Sequence, residues 1–287
     1  MIQISQLFIY PVKSLGGISV PSAQLTDRGF QYDRRWMLVD EQNQFMTQRQ
    51  FHQMALLQTG ISDEGISVVH KNDTDKKIEI PFSAFTNEKI KVKIWDDYCD
   101  AMPAEKFINQ WFSEMLQFSC RLVYMPDESL RKVDARYAVH ENDITNLSDA
   151  YPLLIIGQSS LDELNSRLEI PLPMNRFRPN IVITGTDPNE EDEMEEFMIG
   201  DIHFYGVKLS ERCVITTINQ DSLEKSKEPL KTLSTYRMLN NKIYFGQNVI
   251  FEKTGMVKLG DEITIIKKKE SAPFQVLPKN AFASENS

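Results

Sequence analysis

Apolar and polar positions alternate from the start of the chain. Ile2 and Ile4, then Leu7 and Ile9, mark a first strand. Residues 34–40 and 45–50 are two short runs divided by the polar stretch 41–44, and together they predict a hairpin. Residues 68–69, 77–82 and 90–95 add further strands, a spacing that suggests a barrel or sandwich. The period then changes. Over residues 104–117, Phe107, Ile108, Trp111, Phe112, Met115 and Leu116 recur at helical spacing and predict one broad core face. Residues 121–125 read as a strand. Residues 126–146 are polar and aperiodic, which marks either a domain boundary or an ordered loop over a site.

The second half resumes with the apolar run 152–156, a buried strand. Ser160 and Glu163 have the spacing of a capping box, followed by Leu161, Leu164 and Leu168 on one face of a short helix over 160–168. Strands follow at 180–183 and 202–209. The β-branched run 214–218 predicts another, with Cys213 at its mouth. Pro229 suits the first turn of a helix carrying Leu230 and Leu233. Residues 257–267 form a last strand, with Gly260 and Asp261 as a bulge or turn inside it. No repeat, P-loop, GxGxxG or HExxH motif occurs in the sequence.

At 287 residues with a 41% hydrophobic fraction, the chain can bury a core without disulfides. Cys99, Cys120 and Cys213 are too widely spaced for a CxxC pair, a four-thiolate zinc site or an iron–sulfur cluster, and they suit a reducing compartment. No apolar stretch reaches the roughly 20 residues of a membrane span, and no basic region precedes the first apolar run. The expectation is a cytoplasmic protein. A net charge of −9 argues against nucleic acid as the main partner. Much of the acidity falls in residues 187–196, which read as a solvated loop. The histidines, His52, His70, His140 and His203, show no metal spacing and read as structural.

Candidate chemistry centres on Cys213. Its neighbour Arg212 is a cation of the kind that favours a thiolate, the form that binds metals. Local sequence alone favours the plainer reading, a small buried hydrophobe. Lys13 and Ser14 follow a turn at Tyr10–Val12, Arg34 follows Asp33, and Arg178 precedes Pro179, which biases it toward extended backbone. Arginine forks and a lysine suit phosphate oxygens. If these residues converge they make an anion site beside a thiolate; singly, each reads as a surface ion pair.

Ten stretches in order carry a resemblance over about residues 1–267: IYPVKS, DRRWMLVD, TQRQ, SDAYPLLI, LDELNSRL, FRPNIVITG, IGD, ERCVITTIN, KEPLKTLSTYR and FGQN. In these the chain resembles the MOSC-domain proteins with an N-terminal MOSC β-barrel, the group that includes the mitochondrial amidoxime-reducing component and its bacterial relatives. The resemblance implies an α+β, predominantly β fold. An N-terminal β-barrel-like domain would cover residues 1–125 and a MOSC β-barrel domain with a few flanking helices 126–268, leaving 269–287 as a disordered tail.

The same resemblance implies the molybdenum cofactor, with Cys213 as catalytic residue and metal ligand. It implies that Lys13, Ser14, Arg34, Asp149, Ala150, Tyr151, Arg178, Asn180, Glu211, Arg212 and Asn248 contact the cofactor. A pyridoxal phosphate site is not expected. Glu211 stands where a small residue is usual, and Asn248 where the mitochondrial relatives carry an aromatic. Some bacterial members carry a C-terminal ferredoxin-like domain that is not seen here, so electrons would come from a separate ferredoxin, flavoprotein or similar donor. The implied activity is reduction of small N-hydroxylated or N-oxygenated substrates. Two other readings are a cofactor or sulfur carrier without turnover of its own, and a β-barrel interaction module in which Cys213 is merely buried.

Overall fold

The N-terminal alternation is realised as a strand with Ile4, Leu7 and Ile9 buried, in a computed structural model that describes residues 1–270 and Phe274. Seven strands close into a barrel: β1 (Ile2–Ile9), β2 (Leu153–Gly157), β3 (Ile181–Thr184), β4 (Met194–Ile199), β5 (Ile202–Glu211), β6 (Lys242–Phe251) and β7 (Glu262–Lys268). Around the barrel they run β2-β3-β1-β7-β4-β5-β6 and back to β2. Closure leaves no edge exposed for stray pairing. Only β2 and β3 are parallel. A parallel pair needs a long crossover, and theirs contains a helix over Gln158–Ser166. The barrel interior is filled by Leu7, Ile183, Phe197, Phe204 and Val249. β1 comes from the first residues of the chain, yet it pairs with β3 from Leu7↔Ile181 to Gln3↔Thr184 and with β7 at Ile2↔Ile263.

Residues between β1 and β2 build two further sheets. One orders Trp36–Val39, Arg121–Tyr124, Asp97–Pro103 and Ile90–Ile94. The other is a meander of Leu57–Ile61, Gly65–His70 and Asp73–Pro81. A helix over Lys106–Leu116 covers a core with Trp36 and Leu122, burying Ile108, Phe112 and Leu116 at four-residue spacing. Phe107 is exposed, so the face is narrower than the sequence suggests.

Several expectations are corrected. Phe45 makes one bridge to Val39, but no second hairpin strand follows. Instead the Gln50 and Phe51 amides donate to the Thr47 carbonyl and Thr47 Oγ1 accepts the Arg49 N–H, a local side-chain bond that favours a turn. The Ser160 hydroxyl does not cap its helix: it donates to Glu191 at 2.7 Å and accepts the Asn189 N–H at 2.8 Å. The acidic run is not a solvated loop. Glu191 and Asp192 are buried, Asp192 is paired with Arg237, and Met194–Ile199 is barrel strand β4. Burial raises the Glu191 and Asp192 carboxyls. The last predicted strand divides at Gly260, whose φ of 83° turns the chain, into Gly255–Lys258 on Ser22–Thr26 and β7. The predicted tail lies outside the described residues from 271 on, Phe274 excepted. No helix among the described residues is long and apolar enough to cross a membrane.

Candidate functional site

Three loops place three cleft residues in left-handed backbone: Ser14 at φ 67°, Arg34 at 47° and Arg178 at 55°. Such conformations cost free energy in residues other than glycine, and they persist where surrounding contacts over-determine them. Arg178 is therefore not extended, although it precedes a proline. The contacts centre on Tyr10. The Arg34 and Arg178 guanidiniums lie 4.4 and 4.3 Å from its ring centroid. Buried Asp33 accepts the Tyr10 N–H at 2.8 Å on one oxygen and Arg34 Nη1 at 2.6 Å on the other. Arg34 also donates to Asn180 Oδ1 at 3.0 Å, and Arg178 donates to the Leu15 carbonyl at 2.7 Å. Burial pushes the Tyr10 phenol up to about 12 and Arg178 down to about 10, so the guanidinium stays charged at neutral pH.

Strand β5 ends at Glu211 and delivers Arg212 and Cys213 to the same place. Residues 214–218 are not the expected strand. Cys213 is extended at the entry to a 3-10 turn, Val214–Thr217, because its carbonyl accepts both the Thr216 N–H and the Thr216 hydroxyl, at 3.1 and 2.9 Å. Threonine hydroxyls that bond back to the chain compete with a strand ladder. Buried Arg176 donates to the Thr216 carbonyl at 2.9 Å and fixes the turn. Arg212 does not touch the sulfur. Its Nε donates to Phe245 O at 2.8 Å and its Nη1 to Phe177 O at 3.1 Å, while burial lowers it to about 10. The cation at the sulfur is Arg49, with Nη2 3.3 Å from Cys213 Sγ.

The opposite wall is the 148–151 segment. Arg131 donates to the Ser148 and Asp149 carbonyls at 2.7 Å each and pairs with Asp97. Asp149 Oδ1 accepts Lys13 Nζ at 2.7 Å and the Trp95 indole N–H at 3.3 Å. Desolvation works against the Asp149 charge, but Lys13, Arg49 and the Trp95 indole together outweigh it and hold the carboxyl well below the usual range. Lys208 lies 4.4 Å from the Tyr137 ring and 5.9 Å from that of Tyr151. Glu211 turns outward to Lys242 at 2.7 Å, so its carboxylate leaves the cleft's anion side free. The Asn248 amide reaches toward Leu209 O at 3.5 Å.

One cleft of about 740 Å³ collects all twelve residues named from the sequence: Lys13, Ser14, Arg34, Asp149, Ala150, Tyr151, Arg178, Asn180, Glu211, Arg212, Cys213 and Asn248. Cations outnumber carboxylates on its walls, in a chain of net charge −9. Asn180 is turned inward to Arg34, Leu154 and Phe8, so its side chain serves the cradle. Arg49, Trp95 and Arg131 also line the cleft but were missed. The TQRQ stretch was the one signal for Arg49. Arg131 sits in an aperiodic stretch that gave none.

Residues 1–119 match the family described as MOSC N-terminal beta barrel domain, and residues 142–264 match the MOSC domain. Among similar proteins, the mouse (Mus musculus) mitochondrial amidoxime-reducing component 1 is 32% identical over 281 residues, covering 92% of this chain and 82% of that one. Its human (Homo sapiens) counterpart is 30% identical with the same coverage. The rice (Oryza sativa subsp. japonica) molybdenum cofactor sulfurase is 30% identical over 96% of this chain, which spans 35% of that protein.

Proposed function

The chain belongs to the MOSC family, in the form that joins an N-terminal MOSC β-barrel to a MOSC domain, and on that premise we propose that it is a molybdenum-cofactor oxidoreductase reducing N-hydroxylated or N-oxygenated compounds. A separate protein supplies the electrons. The observation that carries this reading is the meeting of Cys213 with Lys13, Arg34, Arg178 and Arg212 in one cleft, while Cys99 and Cys120 are buried elsewhere. The donor set suits the group: a soft thiolate for a sulfur-ligated metal, and arginine forks with a lysine for a phosphate. Arg212 Nη2 is buried without a hydrogen-bond partner among the described residues. A desolvated charged donor is costly unless an anion meets it.

When bound, the cofactor supplies two-electron oxygen-transfer chemistry that side chains cannot. The chain's own residues bind and orient. Arg34 and Arg178 are held rigid by Asp33 and Tyr10, and Asp149 holds the Lys13 ammonium over the cleft. Ser14, Ala150, Tyr151, Asn248 and the Glu211 backbone complete the walls. Converting N–OH to N–H consumes two electrons and two protons and releases water. We place the activity in the cytoplasm, in keeping with three free thiols.

Protein purified from a molybdate-replete host is expected to hold about one molybdenum and one pterin per chain. It should turn over a hydroxylamine or amidoxime once a flavoprotein and a small electron carrier are added. Protein that holds no molybdenum and cannot be loaded overturns the proposal. Similarity to the cofactor sulfurase favours a second reading, a cofactor or sulfur carrier. Loaded protein that binds cofactor but never turns over with any donor would select it.

Lys13 makes anion binding pH-dependent. Burial lowers its ammonium to about 8, against the opposing pull of Asp149 and with Arg131 and Arg34 adding to the fall. Below that pH the cation is present; above it the cleft loses one positive charge. Pyrophosphate affinity, measured calorimetrically on cofactor-free protein, is expected to fall about fivefold as pH rises through 8, the worth of roughly one unit charge at contact in a water-like medium. Lys13→Arg should flatten the profile, and a wild-type affinity that ignores pH would count against Lys13 as an anion ligand.

A further inference from the structure

Arg49 differs from the other arginines of the cleft. Arg34, Arg178 and Arg212 spend their hydrogen bonds on oxygen: a carboxylate, an amide and backbone carbonyls. Arg49 donates from its side chain to sulfur, with Nη2 3.3 Å from Cys213 Sγ, a partner 164 positions away in sequence. It reaches across from the turn after Thr47. That turn is anchored to the cysteine loop through its neighbour Gln48, which forms a reciprocal amide pair with Gln220 at 3.1 and 3.0 Å, both side chains buried. The guanidinium also lies 4.5 Å from the centroid of the Trp95 ring. Trp95 takes a left-handed φ of 55°, and its indole N–H is directed to Asp149. A bulky residue in that conformation is strained, and the surrounding contacts hold it there. Aromatic support of this kind fixes a guanidinium plane better than it could fix an ammonium.

We propose that Arg49 is a positioning residue for the ligand sulfur: its hydrogen bond to Cys213 Sγ withdraws charge from the metal-bound thiolate and raises the metal's reduction potential. The proposal rests on the reading that Cys213 ligates the metal. Hydrogen bonds to ligand sulfurs and other outer contacts set metal potentials. The reduced centre carries more negative charge on sulfur, so a cationic N–H donor stabilises it more than the oxidised one. The N-terminal barrel domain then contributes directly to the redox centre, through a side chain laid against the ligand that the second domain supplies.

The test uses full-length Arg49→Gln, Arg49→Lys and Trp95→Leu, produced with molybdate. Molybdenum per chain is measured by elemental analysis, and the metal's midpoint potential by a spectroscopically monitored redox titration. Arg49→Gln is expected to load with molybdenum and to unfold near the wild-type temperature. At a fixed solution poise, its ratio of reduced to oxidised metal should fall about tenfold, the scale of one charge-assisted hydrogen bond. Arg49→Lys, which keeps the charge but loses the planar fork, should fall in between. Trp95→Leu, which frees the guanidinium and also takes the indole N–H from Asp149, should shift the ratio the same way by less. Loaded Arg49→Gln with an unchanged potential overturns the inference and leaves the assignment of Cys213 standing. Wild-type protein without molybdenum overturns both. Should Arg49→Gln fail to fold, Arg49→Lys and Trp95→Leu decide the matter by the same readout.

Discussion

Cys213→Ala is expected to abolish N-hydroxyl reduction and to purify without molybdenum, while its unfolding free energy stays within about 0.5 kcal/mol of wild type. The two halves of this expectation have separate physical causes. The turn that presents the cysteine is held by its carbonyl, which accepts the Thr216 amide and hydroxyl, and by Arg176 on the Thr216 carbonyl. None of those contacts involves the sulfur, so alanine leaves the turn intact. The thiol itself is half-buried and accepts from Arg49. Removing it deletes the one cysteine sulfur among the described residues that lines the cleft. Loss should exceed the roughly 10–100-fold typical of outer-shell partners. Cys99 and Cys120 cannot stand in. Both are buried, and burial pushes each thiol up to about 11, so they remain protonated at neutral pH. Cys99→Ala and Cys120→Ala provide the control: each should cost about 1 kcal/mol of stability and leave molybdenum content and turnover unchanged. A Cys213→Ala protein that retains metal and activity would remove the cysteine from the centre.

Periodicity was a good guide wherever one face of an element meets a core. β1 and the helix over Lys106–Leu116 appear close to where their apolar spacing put them, and β2 where the apolar run 152–156 put it. It failed where charge or a hydroxyl decides the local structure. Glu191 and Asp192 look solvated in sequence, yet Ser160 and Arg237 satisfy one oxygen of each inside the protein. Those partners lie 31 and 45 residues away. Residues 214–218 have strand composition, but the Thr216 and Thr217 hydroxyls bond back to the chain and close a turn. Convergence of the cleft was invisible to any local pattern. Lys13, Asp149 and Cys213 meet only because β1 is hydrogen-bonded between strands from the far end of the chain. The family resemblance named the residues that meet. The TQRQ stretch marks Arg49 but not its partner, a sulfur 164 residues away that no local pattern connects to it.

Asp33→Ala should be the most destabilising single change in the cradle, costing about 3–5 kcal/mol, the usual penalty for removing one partner of a buried ion pair. Both side chains of the Asp33–Arg34 pair are largely buried, at 2% and 13% exposure. Alanine would leave the Arg34 guanidinium with only Asn180 Oδ1 and the Arg178 carbonyl, and the Tyr10 amide with no acceptor. Of a typical total stability of about 5–15 kcal/mol, that is a large share. The loss should be read from denaturant midpoints of cofactor-free protein, since bound cofactor would add its own stabilisation to the native state. Asp33→Asn keeps an acceptor of the same shape and should cost less. A loss under about 1 kcal/mol for the alanine variant would mean that Arg34 relaxes into solvent freely and that Asp33 does not hold it.

The direction of the Asp33 shift sharpens the point. Burial raises its carboxyl even with Arg34 at 2.6 Å, so the attraction does not repay the desolvation. The pair is therefore a poor source of net stability. What it does is fix geometry: it holds a left-handed arginine against the Tyr10 ring, which Arg178 also contacts, and both arginines line the cleft. Cofactor content should consequently fall further in Asp33→Ala than in Asp33→Asn, even at temperatures where both variants remain folded.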